Sequence, residues 1–498
     1  MSEIIEQVEP GAPSILIATS DAGLKRGAIG LAEAFASTLA NIAPAEAIFS
    51  LIGLIAAFMG SFTPWTFLIT GFAIAATGWN LSEFAVRVPS AGSFIGFIYH
   101  GGNAIRPGYG RFTSAITFYL GILGGPITLA SVSVFLGSWV QTALGLPNIW
   151  WLIIALAGIV LSVPVLLRGI AASTHVAFVL FLVEAVGLVL FSIVVLAQSG
   201  PALAAPLHPA GGMPGGFAGL NGIVFTAALF SYVGWENSGS LGEELRHPRR
   251  NVPIAVIGSI AMIGVLYILV TWAAVSGYAA WHGAGPGMTR LADPTNAAPF
   301  IELTDHYMPW FHWVMVFIGL TSAIGSYIAA VTAVSRWTYA AARGGLLPAP
   351  FARVSAISRV PVMSVLIWNL LIGFFVIAAY FLFNGDAVTG TGYLAGIGAA
   401  PITVGYFLMA LLCPVFIWRT DRARFGLFRH VLPALIGVVT IGNGLYQAVS
   451  PYQPPPANRF WIYIGGIFVL ALAATIYKLA TRGTAIDRLG YVVPEDEA

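Results

Sequence analysis

Apolar residues run along this chain in long stretches separated by short polar ones. Twelve stretches reach the roughly 20 residues that a helix needs to cross hydrocarbon. They cover 27–57, 62–84, 112–140, 149–167, 172–197, 217–240, 252–277, 309–334, 361–383, 392–417, 430–449 and 459–480. The first 26 residues are polar and mixed in charge (Glu3, Glu6, Glu9, Asp21, Lys25, Arg26). They lack the basic start and short apolar run of a cleavable signal peptide, so the segment is expected to be retained.

Composition leads to the same class. Apolar residues make up 58% of the 498 residues and charged ones 8%, where a soluble domain carries about 25% charged. So few charges cannot cover a water-facing surface; the chain reads as a polytopic helical membrane protein in contact with lipid. A net charge of +2 supplies no basic field to hold nucleic acid. The single cysteine, Cys413, excludes a disulfide framework and a cysteine-rich metal site.

Charge also tests the span count. If the chain crosses at each stretch, all 22 lysines and arginines except Arg290 and Arg459 fall on one side. The positive-inside rule makes that side the cytoplasm, with both termini in it and the protein in the cytoplasmic (inner) membrane. The largest loop on the other side, about 278–308, is short. No soluble domain is expected, so any chemistry lies inside the bundle.

Two stretches carry helix-breaking features at mid-depth. In the first, Asn41-Ile42-Ala43-Pro44-Ala45 is followed by Glu46; Pro44 lacks an N–H and clashes with the preceding turn. In the sixth, polar residues gather around Gly234 in Phe230-Ser231-Tyr232-Val233-Gly234-Trp235-Glu236. A proline kink and a glycine packing contact are the ordinary explanation of either alone. Interruptions at matching places in two halves of a chain instead point to a transporter's midplane site. Freed N–H groups there suit a carboxylate and freed carbonyls suit an ammonium.

Three motifs carry a resemblance. The sixth stretch runs on to Gly242-Glu-Glu-Leu-Arg-His-Pro-Arg-Arg-Asn-Val-Pro253, the eighth ends in Ser335-Arg-Trp-Thr-Tyr-Ala-Ala-Ala-Arg-Gly-Gly-Leu-Leu-Pro348, and Val88-Pro-Ser-Ala-Gly-Ser-Phe94 precedes the third. Together they resemble the amino acid–polyamine–organocation permease superfamily. The resemblance implies an all-α, LeuT-like fold of twelve transmembrane helices, with a five-plus-five inverted repeat and discontinuous helices 1 and 6. It divides the chain into a cytoplasmic segment (1–26), a ten-helix transport core (27–417), helices 11 and 12 (418–480) and a cytoplasmic tail (481–498). It implies alternating access, with substrate held by Asn41, Ile42, Ala43, Pro44 and Ala45 and by Phe230, Ser231, Tyr232, Val233, Gly234 and Trp235, Phe230 closing over it. The first break departs from the family's glycine-rich pattern. Pro44 removes one donor, and Glu46 in the first turn of the second half-helix would oppose a substrate carboxylate. That raises a carboxylate-free amine, such as a polyamine or amino alcohol, as an alternative.

Four carboxylates inside the stretches stand out: Glu33, Glu46, Glu184 and Glu236. Ionisable groups in lipid are functional candidates by default. Glu184, Glu236 and Glu46 are the candidates for proton binding and coupling, and Glu33 reads as structural. Thr321, Ser322 and Ser326 offer oxygens for sodium, although ordinary packing explains them as well. In the resembling fold Glu243 and Glu244 lie near Arg336 and Arg343 as an inner gate. The expected function is proton-coupled uptake of an amino acid or related amine, with an exchanger as the rival within the class. No cofactor or metal is expected: the eight histidines are scattered and no His-Glu-x-x-His spacing occurs. An enzyme is therefore disfavoured, and the lack of a repeated filter sequence disfavours a channel.

Overall fold

The computed structural model describes residues 19–20, 23–208, 213–293, 296, 298–453, 455, 457–482 and 485–492. Most of the N-terminal segment and the end of the tail lie outside these residues. Among them the fold is helical, apart from one two-residue strand pair. Ten helical stretches are long and apolar enough to cross a membrane.

The first of these, Leu31–Arg87, contains two of the predicted spans. Helix α1 (Leu31–Ile42) stops, α2 (Pro44–Met59) resumes, and a turn that starts at Gly60 (φ +52°) leads into α3 (Thr63–Arg87). Next come α4 (Phe94–Ile105), α5 (Tyr109–Ala143), α6 (Ile149–Leu167) and α7 (Ile170–Gln198). The sixth predicted span is the least regular. A single turn, α8 (Gly216–Gly219), precedes α9 (Phe225–Phe230), and helix returns only as the short α10 (Asn237–Ser240). The remainder is α11 (Pro248–His282), α12 (Ala284–Leu291), α13 (Pro299–Tyr307), α14 (His312–Arg343), α15 (Val362–Leu382), α16 (Ala387–Thr420), α17 (Leu432–Val449) and α18 (Phe460–Arg482). The predicted loop 278–308 thus contains helix, and α4 is a separate element before the third span.

Helix α1 packs against α7, α11 and α14, and α10 packs against α1 and α14. Helix α5 lies against both α14 and α16. Around this centre the bundle turns apolar side chains outward: Leu161, Val265, Leu370, Phe381 and Val469 are exposed. Contiguous apolar surface of this kind marks a lipid or partner contact.

The described residues nearest the two termini lie at the arginine-rich end of the bundle. β1 (Thr19–Ser20) pairs antiparallel with β2 (Val354–Ser355). Ile29 bridges to the segment after α10, its N–H donating to the Glu244 carbonyl (3.2 Å) and its carbonyl accepting from the Arg246 N–H (2.9 Å). Near the other terminus, the Tyr491 hydroxyl accepts from Arg26 (2.8 Å), and its ring lies 4.4 Å from the Arg343 guanidinium carbon.

Candidate functional site

Two unwound segments face each other at the centre of the bundle. In the first, Ala43 adopts a left-handed conformation (φ 51°, ψ 65°) and ends α1. Pro44 then opens α2, at a position where a missing N–H costs least. The peptide groups freed by the break find side chains. The Ala45 N–H donates to Glu184 Oε1 (2.5 Å) and the Glu46 N–H to Ser322 Oγ (3.0 Å); Ser322 in turn donates to Glu184 Oε1 (2.8 Å). The Ala47 N–H already reaches back to the Ala43 carbonyl (2.9 Å). On the other side of the break the Asn41 carbonyl accepts from Ser326 Oγ (3.1 Å).

In the second segment, regular helix is lost after Phe230 and regained at Asn237. Gly234 has φ +108°, and a Cβ there would lie 2.8 Å from the Asn41 carbonyl. Glycine is therefore required twice over, by its conformation and by close approach. Asn41 Nδ2 donates to the Gly234 carbonyl (3.4 Å), and the Gly234 N–H donates to Glu236 Oε2 (3.1 Å). Asn237 Nδ2 donates to Ser37 Oγ in α1 (2.8 Å). The breaks are bonded to each other across the bundle.

Between them lies a cavity of about 100 Å³. The family model for amino acid permeases matches residues 34–480. The chain belongs to the amino acid permease family. It is 27% identical to a vacuolar cationic amino acid transporter 4 of Arabidopsis thaliana, over 60% of this chain and 50% of that protein. It is 26% identical to a methylthioribose transporter of Bacillus subtilis, over 59% and 63%, and 27% identical to the branched-chain amino acid permease BcaP of Lactococcus lactis, over 63% and 64%. The chain spans about half to just under two thirds of these relatives' lengths. Its fold resembles that of a crystallised manganese transporter of Eremococcus coleocola (TM-score 0.56, 11% identity, 92% of this chain and 95% of that one). The relatives are transporters, not enzymes.

Of the residues expected to hold substrate in this permease, Asn41, Ile42, Phe230, Val233 and Gly234 line the cavity. Ala43, Pro44, Ala45 and Ser231 are buried beside it without lining it. Tyr232 points away, its hydroxyl donating to the Phe67 carbonyl in α3 (2.9 Å), and Trp235 packs on Tyr406 at 5.1 Å. Both are fully buried packing residues. Sequence reasoning missed the far wall: Gly121, Gly125 and Thr128 of α5, Trp337 of α14 and Trp368 of α15. Two glycines four apart in a span were the available signal. A Cβ on Gly125 would stand 2.6 Å from the Trp368 ring, so the glycines admit the indoles that shape the wall.

Among the coupling candidates, Glu46 and Glu236 line the cavity. Glu184 is buried behind it, bonded to the start of α2. Glu33 accepts from the Gly30 N–H (2.9 Å) at the start of α1. Another carboxylate within predicted span 62–84, Glu83, is paired with Arg87 (2.6 Å) and Arg429 (2.8 Å). Ser326 lines the cavity, whereas Thr321 donates to a carbonyl of its own helix (3.0 Å).

The gate candidates form two pairs. Arg336 Nε donates to Glu244 Oε2 (2.8 Å), each side chain 1% exposed. Arg343 binds Glu243 through both oxygens (2.5 and 2.9 Å), and Glu243 Oε1 also accepts from the Ala91 N–H (3.1 Å). Burial pushes the Glu244 carboxyl above the ordinary carboxylate range, and Arg336 opposes the rise. At the opposite end, Glu302 accepts from Tyr278 (2.6 Å), Arg290 (2.9 Å) and Asn296 (2.5 Å). Burial alone would raise its pKa; the donors outweigh burial and hold it below the usual range.

Proposed function

We propose that this permease is a secondary active transporter that moves amino acids or related amines across the cytoplasmic membrane by alternating access. The observation that carries the reading is the pair of facing breaks, at Ala43 and at 231–236, around one central cavity. Unwound backbone inside a membrane bundle is tolerated where it lines a cavity. The twelve-span, five-plus-five reading counts two spans in Leu31–Arg87 and takes the interrupted 217–240 as the sixth. Both termini are assigned to the cytoplasm by the arginine asymmetry. The arginine-rich end is then the inner gate, closed by Glu244–Arg336 and Glu243–Arg343.

The coupling ion is proposed to be a proton carried by Glu184. Its Oε1 joins the start of α2 to Ser322 of α14. No cation contacts its carboxylate among the described residues. Protonation would weaken the hold on Ala45 and release one half-helix from its neighbours.

The test is uptake of amino acids and amines by the purified protein in liposomes, with and without an inward proton gradient. Saturable uptake that the gradient drives in the wild type but not in Glu184→Gln is expected. Gradient-insensitive flux in both would remove the proton, and single-channel current in place of saturable flux would remove the transporter.

A further inference from the structure

Resting on the transport reading above, we infer that the solute is a short amine or amino alcohol that carries no carboxylate, seated by its ammonium between Glu46, Glu236 and Asn237. The start of α2 is where backbone donors would receive a substrate carboxylate. Here they are already occupied: Pro44 has no N–H, Ala45 binds Glu184 and Glu46 binds Ser322. Glu184, behind the cavity, holds one of these donors, so a carboxylate in the cavity finds neither of them free. It would also lie beside like charge, because Glu46 and Glu236 line the wall.

The cavity wall has the complementary character. Glu46 and Glu236 line it, and among the described residues no lysine, arginine or histidine does. Asn237 lines it too, 1% exposed, and its Oδ1 has no hydrogen-bond partner. An unpaired buried acceptor is costly until a donor arrives, and an ammonium brings three. Phe94, Trp337 and Trp368 add aromatic faces, which attract cations. Trp337 Nε1 in the wall is a buried side-chain donor without a partner, which suits a hydroxyl oxygen at the far end of a short solute.

Size narrows the class further. A cavity of about 150 Å³ holds benzene, with its six heavy atoms. In proportion, about 100 Å³ holds about four. That is the size of ethanolamine or propylamine and smaller than lysine, arginine or a polyamine.

Ethanolamine and glycine make a sharp comparison, because they share an aminomethyl group and differ in a hydroxymethyl against a carboxylate. The experiment measures thermal stabilisation of the full chain, and its flux in liposomes, with ethanolamine, propylamine, glycine, alanine, lysine and putrescine. Half-saturation by ethanolamine at least tenfold below that of glycine is expected, with lysine and putrescine weaker still. In Glu46→Gln the ethanolamine-to-glycine preference should shrink at least tenfold; an unchanged preference there would overturn the role given to Glu46. Glycine or alanine bound by the wild type as tightly as ethanolamine overturns the inference while leaving transport intact. Absence of saturable flux for every solute class would instead overturn the transport reading, and this inference with it.

Discussion

Glutamine in place of Glu244 tests the inner gate most directly. The substitution leaves the Arg336 guanidinium in a site 1% exposed without its counter-charge, with only neutral acceptors: the glutamine amide oxygen, the Thr332 carbonyl (3.2 Å) and the Ser335 hydroxyl (3.3 Å). Removing one partner of a buried ion pair costs about 3–5 kcal/mol. That cost falls on the closed arrangement alone, because opening this end to water solvates the guanidinium again. At about 1.4 kcal/mol per tenfold, the opening constant should rise by about a hundredfold to about four thousandfold. A cysteine at Ala333 in the cavity wall reports the opening by its rate of reaction with a soluble thiol reagent on purified protein. The native Cys413 is fully buried and gives little background. The labelling rate should rise at least tenfold in Glu244→Gln. In Glu244→Gln/Arg336→Met it should fall back toward the parent value, since the stranded charge is gone. A single variant that labels no faster than its parent would refute the assignment of this pair as a gate.

Other outcomes follow from the same geometry. Gly234→Ala forces a side chain into a positive φ and against the Asn41 carbonyl; it should cost more than about 1 kcal/mol and abolish uptake, checked by heat-inactivation half-life and flux. Gly125→Ala pushes the Trp368 ring into the cavity, so half-saturation should worsen more for larger solutes than for smaller ones. Glu302 has a lowered pKa in the folded chain, so its contribution to stability is present above the unfolded value of about 4.3 and is lost as pH falls through the folded value. Melting temperature measured against pH should therefore drop less steeply on the acid side in Glu302→Gln than in the wild type. Equal slopes would remove that role.

The spans were legible because hydrocarbon imposes a length and forbids charge, and both constraints are written residue by residue. The breaks were legible for a local reason: a proline after Asn41-Ile42-Ala43, and polar residues around Gly234, have few other uses at mid-depth. What joins them was not. Ala45 and Glu184 are 139 positions apart, and nothing in either neighbourhood says that one satisfies the other. Tyr232 and Trp235 belong to the same motif as Phe230 but turn toward α3 and α16, because a turn sends successive side chains in different directions. Helices α4, α12 and α13 are too short to register as spans and were read as connections. The resemblance put Glu243 and Glu244 near Arg336 and Arg343 without assigning partners; in the structure Glu244 pairs with Arg336 and Glu243 with Arg343.

The bend in the first membrane-crossing segment has a mechanical meaning. Many such bends are glycine hinges, free to flex. This one is an alanine locked in an unfavourable conformation by the proline that follows it, which disfavours the right-handed alternative. Its flanks are pinned as well, Asn41 to Ser326 and Ala45 to Glu184. In the proposed cycle the segment would keep this angle and move as a stiff crooked lever once Glu184 lets go, and the compliance would fall to the glycine-bearing partner across the cavity.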